Sequence, residues 1–237
     1  MKQHEINVAR IKAVVKRLGV LANEVVFVGG AVTGFLISDP AAAEVRPTKD
    51  VDVITDVASR LEYAAREETL RKLGLHHNME GATCSFQFHD ADLGEILLDF
   101  MPTDEKVLQL RSQWYKPAFL NAISIELGDG IAARIITAPY FLATKLEAFA
   151  DRGKDDYYGS SDMSDIVLIL DGRPEFFNEI KETEVSLVEF LQTSFRSLLS
   201  DYRFENCIEG HLRYDSASSD RANMVIALIR KIIELRR

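Results

Sequence analysis

Ile6, Ala9, Ile11, Val14, Val15 and Leu18 recur at three- and four-residue intervals, a spacing that predicts an amphipathic helix over residues 6–18, closed by Gly19. The unbroken run Val25-Val26-Phe27-Val28 then reads as a short buried strand. Gly29-Gly30 halts it, and the small apolar segment 31–37 reads as helical. Two prolines and a run of alanines mark 38–48 as an exposed connection before a strand over Asp50–Thr55. A helix over 58–73 ends at Gly74. Alternating stretches at 83–89, 95–100, 122–127 and 131–136 predict four further strands, the last two joined by a hairpin turn at Gly128-Asp129-Gly130. Beyond Thr137-Ala138-Pro139 the pattern is helical, apart from a charged, glycine- and serine-bearing loop over 151–161. The predicted fold class is α+β, with a mixed β-sheet domain flanked by helices over 1–137 and a helical domain over 138–237.

Composition narrows the setting. Apolar residues make up 47% of the 237, enough to bury a core without covalent staples. With two cysteines far apart and no signal-peptide pattern, the expected setting is reduced and cytoplasmic. The longest apolar runs fall far short of the roughly 20 residues that cross a bilayer, so the expectation is a soluble chain with no membrane association. A net charge of −9 argues against a protein that coats nucleic acid by neutralising phosphates.

Against that background the acids of Asp50-Val51-Asp52-Val53 stand out. Side chains alternate along a strand, so both carboxylates point one way, about 6–7 Å apart, while the valines point into the core. Two readings stand: solvated aspartates on an exposed strand, or ligands of a divalent cation that relieves their repulsion. Asp99 lies opposite the apolar face of Ile96, Leu98 and Phe100 and completes a three-carboxylate cluster if its strand neighbours the first. Gly29-Gly30, ending a strand and opening a helix, is either a plain turn or a place where backbone N–H groups approach a phosphate. It matches neither the Walker nor the dinucleotide pattern.

Lys145 interrupts the apolar stripe of Phe141, Leu142, Ala148 and Phe149, and either snorkels to solvent or directs a cation toward a carboxylate or phosphate. Asp162 reads as a helix N-cap, and Asp165 as a first-turn acid or a partner of Lys145. Arg152 and Lys154 sit in the predicted loop, free in solvent or in reach of a triphosphate. Trp114 and Tyr115 are either packing residues or a base-stacking pair. Adjacent His76 and His77 point apart on a strand, no Cys/His spacing suits zinc, and there is no GxSxG elbow.

Taken in order, Val28-Gly29-Gly30-Ala31-Val32, Arg46-Pro47-Thr48-Lys49-Asp50-Val51-Asp52-Val53 and Leu98-Asp99-Phe100 resemble the DNA polymerase β-type nucleotidyltransferase superfamily. Leu142 to Ala148, Arg152 and Asp162 to Ile166 resemble the last motif of the AbiEii-type toxin nucleotidyltransferases. The resemblance spans roughly residues 25–170. It implies that domain 1–137 is the nucleotidyltransferase domain, that Asp50 and Asp52 bind Mg²⁺, and that Asp99, the third carboxylate of the metal cluster, aids the attacking hydroxyl. Gly29 and Gly30 would hold the phosphates of a nucleoside triphosphate, with Thr33, Arg46, Thr48 and Arg152 around it, and Lys145 and Asp165 would complete the catalytic set. AbiEii-type proteins usually carry a hydroxyl residue directly after the two glycines; this chain has Ala31 there and Thr33 two positions on. The resemblance also implies an acceptor hydroxyl on tRNA or another RNA, and a cognate antitoxin as partner. A small-molecule acceptor such as an aminoglycoside, and a noncatalytic nucleotide-binding module, are the alternatives.

Overall fold

A computed structural model describes residues 2–108, 112–153 and 156–236, and the chain separates into two compact units. The first comprises Met1–Val32 with Arg46–Thr137, the second Thr33–Val45 with Ala138–Arg237. In chain order the elements are α1 (Gln3–Leu18), β1 (Val25–Val28), α2 (Thr33–Leu36), β2 (Asp50–Thr55), α3 (Arg60–Lys72), β3 (His76–His77), β4 (Ser85–Asp90), β5 (Gly94–Pro102), α4 (Glu105–Leu108), α5 (Tyr115–Leu120), β6 (Ile123–Gly128) and β7 (Ile131–Ile135). There follow α6 (Ala138–Arg152), α7 (Ser161–Gly172), α8 (Phe176–Glu182), α9 (Val185–Leu199), α10 (Tyr202–His211) and α11 (Ser218–Ile233). The architecture is mixed α and β, with the sheet in the first unit and helices alone after residue 137.

The seven strands form one sheet in the order β3-β4-β5-β2-β1-β7-β6. β2 runs parallel to β5 and antiparallel to β1, and β1 runs parallel to β7. Every residue of β1 is buried, as its continuous apolar sequence requires of a strand inside the sheet. α1 packs Ile11, Val14 and Leu18 into the core. α3 starts at Arg60 because the N-cap Ser59 hydroxyl accepts the Glu62 N–H at 3.2 Å, while the Glu62 carboxylate accepts the Ala58 N–H at 2.7 Å just ahead of the cap, and the two bonds fix the first turn. Between β6 and β7, Gly128, Asp129 and Gly130 all adopt positive φ, which two glycines accommodate without cost. The predicted 31–37 helix is shorter than expected: a 3₁₀ turn over Gly30–Val32 leads into the single turn of α2.

The second unit packs Phe141, Met163, Ile166, Phe195, Phe204 and Ile229 into its own core. Residues 33–45, placed by sequence with the first domain, are held in this unit by ionic ties. Arg173 donates to the Leu36 carbonyl at 2.7 Å and pairs with Glu179, and Arg221 bridges Asp39 and Asp171 at 2.9 and 2.7 Å. Among the described residues no helix is long and apolar enough to cross a membrane.

Candidate functional site

Strand register assembles the carboxylates. Val28, the last residue of β1, pairs with Asp52, and Asp52 pairs with Asp99 across the parallel β2–β5 ladder. Paired residues project to the same side, and Asp50 lies two residues from Asp52 on that side. One carboxylate oxygen from each of Asp50, Asp52 and Asp99 falls within 4.8 Å of the others. All three residues are half-buried.

Their surroundings fix them individually. The Thr48 hydroxyl lies 2.8 Å from Asp50 Oδ1 and 3.0 Å from the Asp50 carbonyl, while Arg10 of α1 donates to the Thr48 carbonyl. Ser85 of β4 stands in register with Asp99 and hydrogen-bonds its carboxylate. Burial is the main reason the Asp99 carboxyl titrates above its ordinary value; the Ser85 bond opposes that shift and the charge of Asp50 adds to it. The neighbouring Cys84 thiol is pushed up to about 12, first by burial and then by the charges of Asp99 and Asp52. Gly29 holds φ at +67°, and a Cβ there would lie 1.8 Å from Asp52 Oδ2. The strand therefore ends on a residue over which a carboxylate can fold only if it has no side chain. A Cβ on Gly30 would meet the Arg46 guanidinium at 3.0 Å, so this cation lies against the glycine turn.

In the helical unit, Lys145 of α6 is buried, its ammonium 2.6 Å from Asp165 and 3.2 Å from Asp162 and over the Phe141 ring at 5.5 Å. This is the paired reading of Lys145, not the snorkelling one. Asp162 is not an N-cap. Ser160 takes that role by accepting the Met163 N–H, which leaves Asp162 to bind Lys145 and, through both oxygens at 2.9 and 3.1 Å, Arg152. Burial works to raise the Asp162 carboxyl, but the Arg152 hydrogen bond and the Lys145 and Arg152 charges outweigh it and hold the carboxyl below its usual range. Arg152 ends α6 and is not part of the loop that follows; its side chain is 69% exposed although its donors are anchored. Lys154 lies outside the described residues. Thr33 is buried, and its hydroxyl has no hydrogen-bond partner among the described residues.

The predicted residues thus fall into two sets: Gly29, Gly30, Arg46, Thr48, Asp50, Asp52 and Asp99 in the sheet unit, and Thr33, Lys145, Arg152 and Asp165 in the helical unit. Trp114 is buried and the Tyr115 hydroxyl meets Met101 Sδ at 3.5 Å, which is packing. Sequence reading missed Arg10, Ser85 and the bridging part of Asp162. Only the last left a trace, since Asp162 and Asp165 share a helical face with i,i+3 spacing.

Three carboxylates with hard oxygen donors this close suit a divalent cation of the Mg²⁺ or Mn²⁺ kind. No protein-family model matches the sequence, and no curated protein matches it. Solved structures do match. An antigenic nucleotidyltransferase-like protein from Paracoccidioides brasiliensis superposes with a TM-score of 0.55 at 18% identity, over 87% of this chain and 93% of that one. JHP933 from Helicobacter pylori gives 0.50 at 12% identity, over 99% and 93%. A further H. pylori chain, assigned provisionally as a nucleotidyltransferase, gives 0.51 at 12% identity, over 99% and 96%. At these identities the likeness is one of fold.

Proposed function

We propose that this chain, built on a nucleotidyltransferase-like fold and bearing three aspartates that converge on one face of its sheet, is a metal-dependent nucleotidyltransferase. The convergence of Asp50, Asp52 and Asp99 within 4.8 Å carries the reading, because mutual repulsion disfavours such a grouping unless a cation joins it. Asp50, Asp52 and Asp99 would hold Mg²⁺, which on binding would supply charge neutralisation of the phosphates. Thr48 fixes the Asp50 carboxylate and Ser85 the Asp99 carboxylate, so the ligand oxygens are oriented before any cation arrives. Gly29-Gly30 offers backbone N–H groups to the triphosphate, with Arg46 beside Gly30.

In the transfer, an acceptor hydroxyl oxygen forms a bond to the α-phosphorus as the bond from that phosphorus to the bridging oxygen breaks. Pyrophosphate leaves and the hydroxyl proton passes to the Asp99 carboxylate. The protein contributes position and charge more than covalent chemistry. An RNA acceptor, tRNA included, and an antitoxin partner are what the AbiEii resemblance supports; a small hydroxyl acceptor is the alternative.

The test is Asp52→Asn with α-labelled nucleoside triphosphate. The expected variant retains the wild-type melting temperature, loses Mn²⁺ binding by calorimetric titration, and transfers no label. Label transfer at the wild-type rate by this variant would refute the assignment.

A further inference from the structure

The sheet does not hold the three carboxylates alike. Asp52 has a ladder partner on each side, Val28 and Asp99, and Asp99 stands between Asp52 and Ser85. Asp50 is the first residue of β2. The β1–β2 pairing stops at Asp52, so among the described residues Asp50 has Leu97 beside it and no ladder partner toward β1. The segment that delivers it, residues 46–49, lies outside helix and strand. A ligand placed there depends on contacts other than the ladder to keep its oxygens oriented.

Thr48 supplies the nearest of those contacts. It is buried, its hydroxyl lies 2.8 Å from Asp50 Oδ1, and its Cβ is 3.6 Å from where a Cβ on Gly30 would stand. One residue thus touches both the carboxylate and the glycine turn. A hydroxyl orients a carboxylate only as well as its own backbone is fixed, and here the backbone is fixed from α1. Arg10 lies on the inward side of that helix, between the fully buried Asn7 and Val14, and donates through Nη1 to the Thr48 carbonyl. The donor is a planar, charged guanidinium, which makes this bond stronger than one between neutral groups.

An arginine that closes a loop carbonyl is ordinarily a device for stability. Two observations separate this one. The residue it holds is hydrogen-bonded to a carboxylate of the cluster, and that carboxylate is the one with ladder support on a single side. All of these residues belong to the first unit.

We propose that Arg10 is a positioning residue for the cation: through Thr48 it presets the Asp50 carboxylate as a ligand, touching neither metal nor nucleotide. The proposal rests on the metal-dependent reading above and adds to it a control point on α1, outside the strands that carry the carboxylates. Loss of an outer partner of a metal ligand weakens metal binding about 10- to 100-fold, and Arg10 acts one bond further out, so the expected effect is about tenfold.

The test uses the full chain as wild type, Arg10→Ala, Arg10→Lys, Thr48→Val and the Arg10→Ala, Thr48→Val double variant. Mn²⁺ affinity is measured by calorimetric titration and stability by urea unfolding. Arg10→Ala should bind Mn²⁺ about tenfold more weakly, and Arg10→Lys should fall between it and wild type. The double variant should lie within about twofold of Thr48→Val alone, because both changes break one chain of contacts. Wild-type affinity in Arg10→Ala, with only its stability lowered, overturns the proposal. Fully additive losses also overturn it, since Arg10 would then not act through Thr48. If Arg10→Ala does not fold, Arg10→Lys alone and combined with Thr48→Val carries the same comparison.

The second readout is transfer from α-labelled nucleoside triphosphates to total RNA or an aminoglycoside across a range of Mg²⁺ concentrations. A raised Mg²⁺ requirement in Arg10→Ala, with kcat restored at saturating Mg²⁺, supports the proposal. A requirement unchanged by that substitution overturns it and leaves the transferase reading intact. Mn²⁺ binding that depends on Arg10, with no transfer by wild type to either acceptor, supports the positioning role and overturns the transferase reading.

Discussion

Gly29 is the residue with least freedom in the site. Its φ of +67° alone disfavours other residues, and a Cβ at this position, 1.8 Å from Asp52 Oδ2, would have no room. Gly29→Ala should therefore displace the Asp52 carboxylate and strain the turn, costing about 1–3 kcal/mol of stability in urea unfolding. Mn²⁺ affinity, measured by calorimetry, should fall with it. Unchanged affinity would mean that Asp52 is held independently of the turn. At this scale the sequence was informative about the glycines and the two aspartates, because chain-local rules govern both: alternation along a strand and the φ freedom of glycine. It gave no sign of Ser85 or Arg10, whose partners lie 14 and 38 positions away.

At the scale of the element, the α6–α7 pair is organised by charge. Lys145 sits in the middle of an apolar stripe because Asp162 and Asp165, one turn apart on α7, both reach it. Asp162→Ala removes one buried carboxylate from Lys145 and the acceptor that Arg152 holds through two donors. Because Lys145 keeps Asp165, we expect a loss near the lower end for broken buried pairs, about 3 kcal/mol. The same carboxylate predicts a pH dependence. Its folded pKa lies below the unfolded value of about 3.9, so its stabilisation is fully present above that value and is lost as pH falls through the folded pKa. Urea unfolding of wild type should thus weaken as pH falls below about 4 by more than that of Asp162→Ala. Parallel pH profiles would exclude Asp162 as the source. The N-cap assignment of Asp162 from sequence failed for a physical reason: Ser160, two residues earlier, is an equally good acceptor, and which of them caps depends on what else competes for the aspartate.

For the whole molecule, a cation that binds only the folded sheet unit must stabilise it by mass action. Mg²⁺ at about a hundred times its dissociation constant should add about 2.7 kcal/mol, seen as a rise in melting temperature by calorimetry. The rise should vanish in an Asp50→Asn, Asp52→Asn double variant. An equal rise in that variant would place the cation elsewhere.

Local physics in the chain was sufficient for the kinds of element, the helical character after residue 137 and the shared direction of Asp50 and Asp52, because hydrophobic period and strand alternation act over a few residues. The strand order was beyond its reach. Whether Asp99 would stand beside Asp52 depended on a parallel pairing between segments 47 residues apart, bridged by α3 and two other strands, and no periodicity encodes such a pairing. Tertiary structure also decided which face of β3, β4 and β5 was buried against apolar side chains and which stayed open beside the carboxylates, since that choice is made by the layers packed on the sheet.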